Sequence, residues 1–174
     1  MQSLTLETVS NTPKNVNQYL TFNLGAEEYG IEILKIQEIR SCGTVTKIPN
    51  TPDYILGVIN LRGAIIPVLD LRIRFGLKTI EYTATTVIIV TRMRIHNVAK
   101  TVGLVVDAVS EVYNIDDSQL APPPDFGVNV DTNFVSHLAN IEDKMIIIMA
   151  IENLISHELL AKLPDSKPSG ESQP

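Results

Sequence analysis

Apolar and polar positions alternate along most of the chain and rarely fall at helical spacing, which predicts short strands. The longest such figure is Gly57-Val-Ile-Asn-Leu-Arg-Gly-Ala-Ile-Ile-Pro-Val-Leu-Asp-Leu-Arg72, two apolar runs hinged on Asn60-Leu-Arg-Gly63. Gly63 can hold a positive φ without a Cβ clash and β-branched residues flank it, so a hairpin with Arg62 projecting from its turn is expected. Pro67 has no N–H to give and places the second strand at a sheet edge or a bulge. Upstream, Tyr19, Leu20, Phe22 and Leu24 predict a strand, Gly25–Glu28 a turn and Tyr29–Ile33 the return, with Ile31 and Ile33 inward and Glu32 outward. The spacing from Ile33 to Ile39 fits a helix almost as well as a strand. A strand after a short turn puts Ile36, Glu38 and Arg40 on one face and Gln37 and Ile39 on the other.

Val45–Ile48 predicts a strand closed by Pro49-Asn-Thr-Pro52, and Asp53–Leu56 one helical turn. Asp70 can cap a short helix that Gly76 stops. In the second half, Thr86–Val90 is an unbroken apolar and β-branched run, a strand covered on both faces, with Val102–Asp107 as its partner. The residues between them, Arg92–Lys100, read as a basic, solvated hairpin loop. Val109–Ile115 continues as a strand, Asp116–Ser118 as a turn, and Ala121-Pro-Pro-Pro-Asp125 as a stiff connector. Phe134–Ile141 and Lys144–Met149 pair across Glu142-Asp143. From Ile151 the period becomes helical, with Ile151, Leu154, Ile155 and Leu159 on one stripe until Pro164. Residues 1–15 and 165–174 read as flexible tails around one folded region.

Charge and composition narrow the role. The 174 residues carry 20 Asp and Glu against 14 Lys and Arg, a net charge of −6, which argues against nucleic acid and anionic membrane as partners. With 5% aromatic residues and no Trp, stacking platforms for single strands are scarce. Cys42 is alone, so no disulfide framework is expected and a reducing, cytosolic compartment is. The apolar runs are too short to cross a bilayer, and the first residues lack a basic leader, which leads to the expectation of a soluble protein with protein partners.

Catalytic motifs are weak. His96, His137 and His157 are scattered without ligand spacing, no Gly-x-Ser-x-Gly elbow occurs, and the glycines of the central hairpin lack the Lys and Ser or Thr of a phosphate loop. No cofactor or metal is expected. Asp70 and Asp107, each after an apolar run, are the best candidates for buried carboxylates and read as turn or cap acceptors. A rival class, a small β-barrel hydrolase, would need folding to bring a histidine to one of them.

Several long motifs in one order carry a likeness. Gln18-Tyr-Leu-Thr-Phe-x-Leu-Gly25, Glu28-Tyr-Gly-Ile-x-Ile33, Lys35-Ile-Gln-Glu-Ile-Arg40, the Gly57–Gly63 hairpin with Pro67-Val-Leu-Asp-Leu-Arg72, and Gly103-Leu-Val-Val-Asp-x-Val-Ser-Glu-Val112 together resemble the CheW-like domain family of chemotaxis coupling proteins. The likeness runs from about residue 17 to 155 and implies a mainly β fold of two SH3-like five-stranded β-barrel lobes packed side by side, plus a C-terminal helix. The lobes would span roughly 16–80 and 81–150, with the helix from about 151 and the domain as a whole at 16–157. It implies a non-catalytic cytoplasmic adaptor between the cytoplasmic tips of chemoreceptors and the regulatory domain of the histidine kinase CheA, at receptor arrays beneath the inner membrane. A coupling protein of a related pathway such as surface motility is the alternative. Matched position by position, the family's protein-binding surface falls on Ile36, Glu38, Gly57, Arg62, Val87, Gly103 and Val112. Arg62 and Glu38 would be its polar determinants, and Ile36, Val87 and Val112 the apolar floor of a groove between lobes. The stretch from Arg92 to Lys100 departs from the family in length and basicity.

Overall fold

Strand pairing in the computed structural model, which describes residues 16–78, 81–95, 97–125 and 133–155, sorts the chain into two mixed sheets. The strands are β1 (Val16–Leu24), β2 (Glu27–Glu32), β3 (Ile36–Ser41), β4 (Ile55–Leu61), β5 (Ala64–Asp70), β6 (Val87–Ile95), β7 (Val98–Val106), β8 (Ala108–Asp116), β9 (Leu120–Ala121), β10 (Val135–Ile141) and β11 (Lys144–Met149), with a short helix α1 (Leu71–Arg74) after β5. One sheet has the order β8-β1-β2-β11-β10-β9 and the other β3-β6-β7-β5-β4. Pairings are antiparallel except β2 with β11 and β5 with β7.

Neither order closes on itself in hydrogen bonds among the described residues, so the structure shows open sheets of six and five strands where closed five-stranded barrels were expected. The five-stranded sheet is one continuous stretch, β3 to β7, because the β6–β7 pair inserts between β3 and β5; the six-stranded sheet joins β1 and β2 to β8–β11.

Period-2 alternation explains how two sheets bury three apolar layers. In the five-stranded sheet Ile66, Val68, Ile88, Val90 and Val105 point into its own concave core. Their neighbours Leu69, Ile89, Leu104 and Val106 point the other way, into a layer shared with Leu20, Phe22, Leu24, Tyr29 and Ile31 of the six-stranded sheet. Tyr19, Ile115, Ile146 and Ile148 fill the third layer, behind that sheet. Strands covered on both faces need apolar residues at successive positions, and Ile88, Ile89 and Val90 are all at most 1% exposed. A stack of rings, Phe22–Tyr29–Phe75–Phe134, runs through the shared layer with centroids 5.9, 5.5 and 4.4 Å apart.

The chain crosses between sheets in a single residue, Asp107, between β7 and β8. Its carboxylate accepts from the Gly25 N–H at 2.8 Å and from Arg72 Nε at 2.9 Å, while its backbone N–H donates to Asn23 O. Arg72 also donates to Lys78 O at 2.9 Å. A charged fork from α1 and the turn between β1 and β2 therefore meet at the crossing and fix one sheet against the other. Asp70 works as expected: it accepts from the N–H groups of Arg72 (2.9 Å) and Ile73 (3.4 Å), and its second oxygen takes the Tyr82 hydroxyl at 2.7 Å. Burial, then the Asp70 hydrogen bond, raises the Tyr82 phenol well above its ordinary value.

Five local expectations change. Pro67 lies in β5, an interior strand, and not at an edge; it stands opposite Val58 one residue before the β7 ladder begins at Val68, so its missing N–H leaves no gap there. Val45–Ile48 contributes only a bridge, Thr46 with Val58, because β4 is bulged at Gly57 beside it. Asp53 and Tyr54 form a turn and β4 starts at Ile55, so no helical turn occurs. Arg92–Ile95 and Val98–Lys100 are paired strand and not loop. At Ile151 the chain forms a 3-10 turn, Ile151–Asn153, in place of the first turn of an α-helix. Ile151, Leu154 and Ile155 are buried in the shared layer as their stripe requires, while Leu159 and the remainder of the expected C-terminal helix, like both tails, lie outside the described residues.

Two outcomes are expected. The Arg72 and Asp107 side chains are 11% and 21% exposed, so Arg72→Ala, which strands a half-buried carboxylate, should cost about 2 kcal/mol in urea unfolding. A tyrosine whose pKa is raised by folding contributes stability below its unfolded value of 10.0, and this is lost as pH rises toward the folded value. Tyr82→Phe should therefore be less stable than wild type by about 1 kcal/mol near neutrality, and melting curves should show that gap closing above pH 10.0.

Candidate docking surface

The turn between β4 and β5 is two residues long, Arg62 at φ 51° and Gly63 at φ 91°, and the Gly63 N–H is held by Asn60 Oδ1 at 2.9 Å. Paired positive φ values match the right-handed twist of the flanking strands. They also put a non-glycine residue in the left-handed region, an arrangement concentrated at functional positions. Arg62 ends with its side chain 69% exposed and its guanidinium on Glu38 of β3. β3 and β4 are the two ends of the five-stranded order, so this ion pair bridges the sheet's opposite edges where it curls over its own core. A pair this exposed contributes at most about 1 kcal/mol, and a partner can displace it cheaply.

The seven residues matched to the family's surface fall on both sheets. Six belong to the five-stranded sheet, and Val112, 46% exposed, is on β8 at the outer edge of the other. Ile36 and Val87 are half-buried against the layer between the sheets, which is filled by side chains. Gly57 and Gly103 act by close approach. A Cβ on Gly57, whose φ is +147°, would stand 2.0 Å from Thr46 O, and one on Gly103 would stand 2.8 Å from Ile88 Cγ2. The pair that the fold does bring together is Glu38 with Arg62.

A cleft of about 170 Å³ opens beside Arg62, lined also by Gln37, Leu61, Ala64, Ile66, Arg92 and Thr101. Arg92, which the sequence pattern places in a loop, reaches this cleft because it continues β6. The signal was present in Thr91-Arg-Met-Arg94, where Met93 between two arginines continues the alternation of β6.

The constellation a hydrolase would need does not form among the described residues. The oxygens of Asp70 and Asp107 are engaged by backbone N–H groups, Tyr82 and Arg72, and His137 Nδ1 lies 2.7 Å from Ser136 Oγ. His96 and His157 lie outside the described residues. Burial and the Asp70 charge push the Cys42 thiol up, away from the reactive thiolate. Among the described residues no group of three or more His, Cys, Asp or Glu could hold a metal, and no helix is long and apolar enough to cross a membrane.

The family model described as a CheW-like domain matches residues 18–159. This chain belongs to the CheW-like family. It is 44% identical over 144 residues to the chemotaxis protein CheW of Klebsiella aerogenes, covering 83% of this chain and 84% of that one. It is 37% identical to the probable chemotaxis protein CheW of Rhizobium etli, covering 85% and 96% respectively. The crystal structure of the scaffolding protein TtCheW from Thermoanaerobacter tengcongensis superposes with a TM-score of 0.69 at 42% identity, over 76% of this chain and 88% of that one. The chain is thus a chemotaxis adaptor, and these CheW relatives do not favour a separate pathway such as surface motility.

Gly57→Ala should lower stability by at least about 2 kcal/mol in urea unfolding, because the added methyl meets backbone that cannot swing away. An unchanged midpoint would show that Gly57 is free to serve as a contact surface.

Proposed function

We propose that this CheW-like adaptor sits in the cytoplasm at receptor arrays beneath the inner membrane and couples the cytoplasmic tips of chemoreceptors to the regulatory domain of the histidine kinase CheA, without chemistry of its own. The observation that carries this reading is Arg62: an arginine whose side chain is 69% exposed, on a two-residue turn, its guanidinium held over the sheet by a weak bond to Glu38. Such a fork is oriented before a partner arrives, which lowers the ordering cost of docking. In this reading the two curled sheets act as SH3-like lobes side by side. Ile36 and Val87 supply apolar footing on the five-stranded lobe, Val112 marks the exposed outer edge of the other, and Gly57 and Gly103 shape the strands that hold Glu38 and Arg62.

Edge strands support two modes of contact. β3 and β8 each end a sheet and carry exposed apolar residues, Ile39 at 42% and Val112 at 46%. An edge can pair with another β domain such as the kinase's regulatory module, while the Arg62 face suits polar and apolar side chains of a helical tip. Contacts of this kind are individually about micromolar, or about −8 kcal/mol, and an array sums many of them.

Arg62→Ala should melt like wild type, since it removes an exposed ion pair, yet lose on the order of tenfold in co-sedimentation with receptor signalling tips. Wild-type co-sedimentation by this variant would remove Arg62 from the docking surface.

A further inference from the structure

We propose that the outer ends of β6 and β7 form an arm that extends the docking surface, and that the cleft between Arg62 and Arg92 receives a carboxylate side chain from an acidic segment of a protein partner. The inference rests on the docking role proposed for the Arg62 face. β3 pairs with β6 only as far as Thr91, and β5 pairs with β7 only from Gly103 onward. Past those points Arg92–Ile95 and Val98–Thr101 run on as a two-stranded ribbon, Arg92 opposite Thr101, Met93 opposite Lys100 and Arg94 opposite Ala99.

Alternation gives the ribbon two unlike faces. Met93, 2% exposed, enters the layer between the sheets and anchors the arm from below. Arg92 and Arg94 fall on the opposite face and are exposed. Arg92 thereby reaches the same cleft as Arg62, whose walls include Leu61, Ile66, Gln37 and Thr101.

Charge selects the occupant. Arg62 is answered by Glu38, whereas among the described residues no carboxylate pairs with Arg92 or Arg94. A chain of net charge −6 thus presents a local excess of positive charge beside its proposed contact face. A space of about 170 Å³ admits the end of one side chain. A carboxylate fits the planar fork of Arg92, with its methylenes against Leu61 and Ile66 and its free oxygen within the donor-bearing wall of Gln37 and Thr101. The position at the rim means that the charge steers and selects partners more than it adds buried contact.

The test compares wild type, Arg92→Glu, Arg92→Gln and Arg62→Ala in co-sedimentation with receptor signalling tips and in pull-down by the kinase regulatory domain, each at low and high salt. Arg92→Glu should weaken capture of at least one partner on the order of tenfold at low salt, with the loss shrinking as salt rises. Arg92→Gln, which removes the charge and keeps the bulk, should lose roughly threefold with unchanged melting. If both Arg92 variants capture like wild type while Arg62→Ala does not, the arm has no part and the Arg62 face stands. If Arg92→Glu captures better, the cleft takes a cation and the inference is overturned. If Arg62→Ala also captures like wild type, the docking face itself is elsewhere.

Discussion

The apolar layer between the two sheets is the constraint on which the rest of this molecule depends. Leu20, Phe22 and Leu24 from one sheet and Leu69, Ile89 and Leu104 from the other leave solvent together. Neither sheet can be peeled away without exposing large residues that are at most 8% exposed in the fold. With these inward faces packed, the described residues offer a partner what projects beyond the layers: hairpin tips, strand ends and sheet edges. The Arg72–Asp107 bond at the crossing then fixes orientation, which apolar contact alone specifies poorly.

Within that frame the exposed ends of the five-stranded sheet become precise. Glu38 lies on β3 and Arg62 in the turn that follows β4, the two strands at opposite limits of the hydrogen-bonded order, and they meet because the sheet curls over Ile66, Val68 and Ile88. The core's curvature therefore determines a surface ion pair 24 residues apart in sequence. The same alternation that buries Met93 exposes Arg92 beside it, so the composition of the arm's outer face follows from the packing of its inner one.

Much of this was legible in the chain, and the exceptions share a cause. Hairpins with local partners, such as β1–β2, β4–β5 and β10–β11, were readable because alternation and turn residues lie within a few positions of one another. The Asp70 cap was readable for the same reason. Sheet membership was not, since the pairings of β1 with β8 and of β2 with β11 depend on residues roughly a hundred positions away. Pro67 misled because its edge preference is satisfied by the end of a ladder as well as by the end of a sheet. In the arm, the basic residues of Arg92–Lys100 resemble a solvated loop, while the alternation that continues β6 spans only a few positions. At the proposed docking surface the Arg62 turn was legible from Gly63, whereas its pairing with Glu38 and its sharing of a cleft with Arg92 required the curl.

The nesting of one sheet inside the other's sequence shapes how the chain is made. Emerging from the ribosome, β1 and β2 have each other but lack their outer neighbours, and the whole stretch from Ile36 to Val106 is synthesised before β8 appears. The five-stranded unit can pair internally during that interval. The leading hairpin can lay Phe22 and Tyr29 on that unit but must wait with Tyr19 uncovered on its other face, and its outer edges unpaired, until β8 to β11 arrive, and each of its later pairings closes a long loop. Assembly is thus ordered from the middle of the chain outward, and the interval in which that first hairpin stands half-dressed is where nascent protein is most exposed to aggregation.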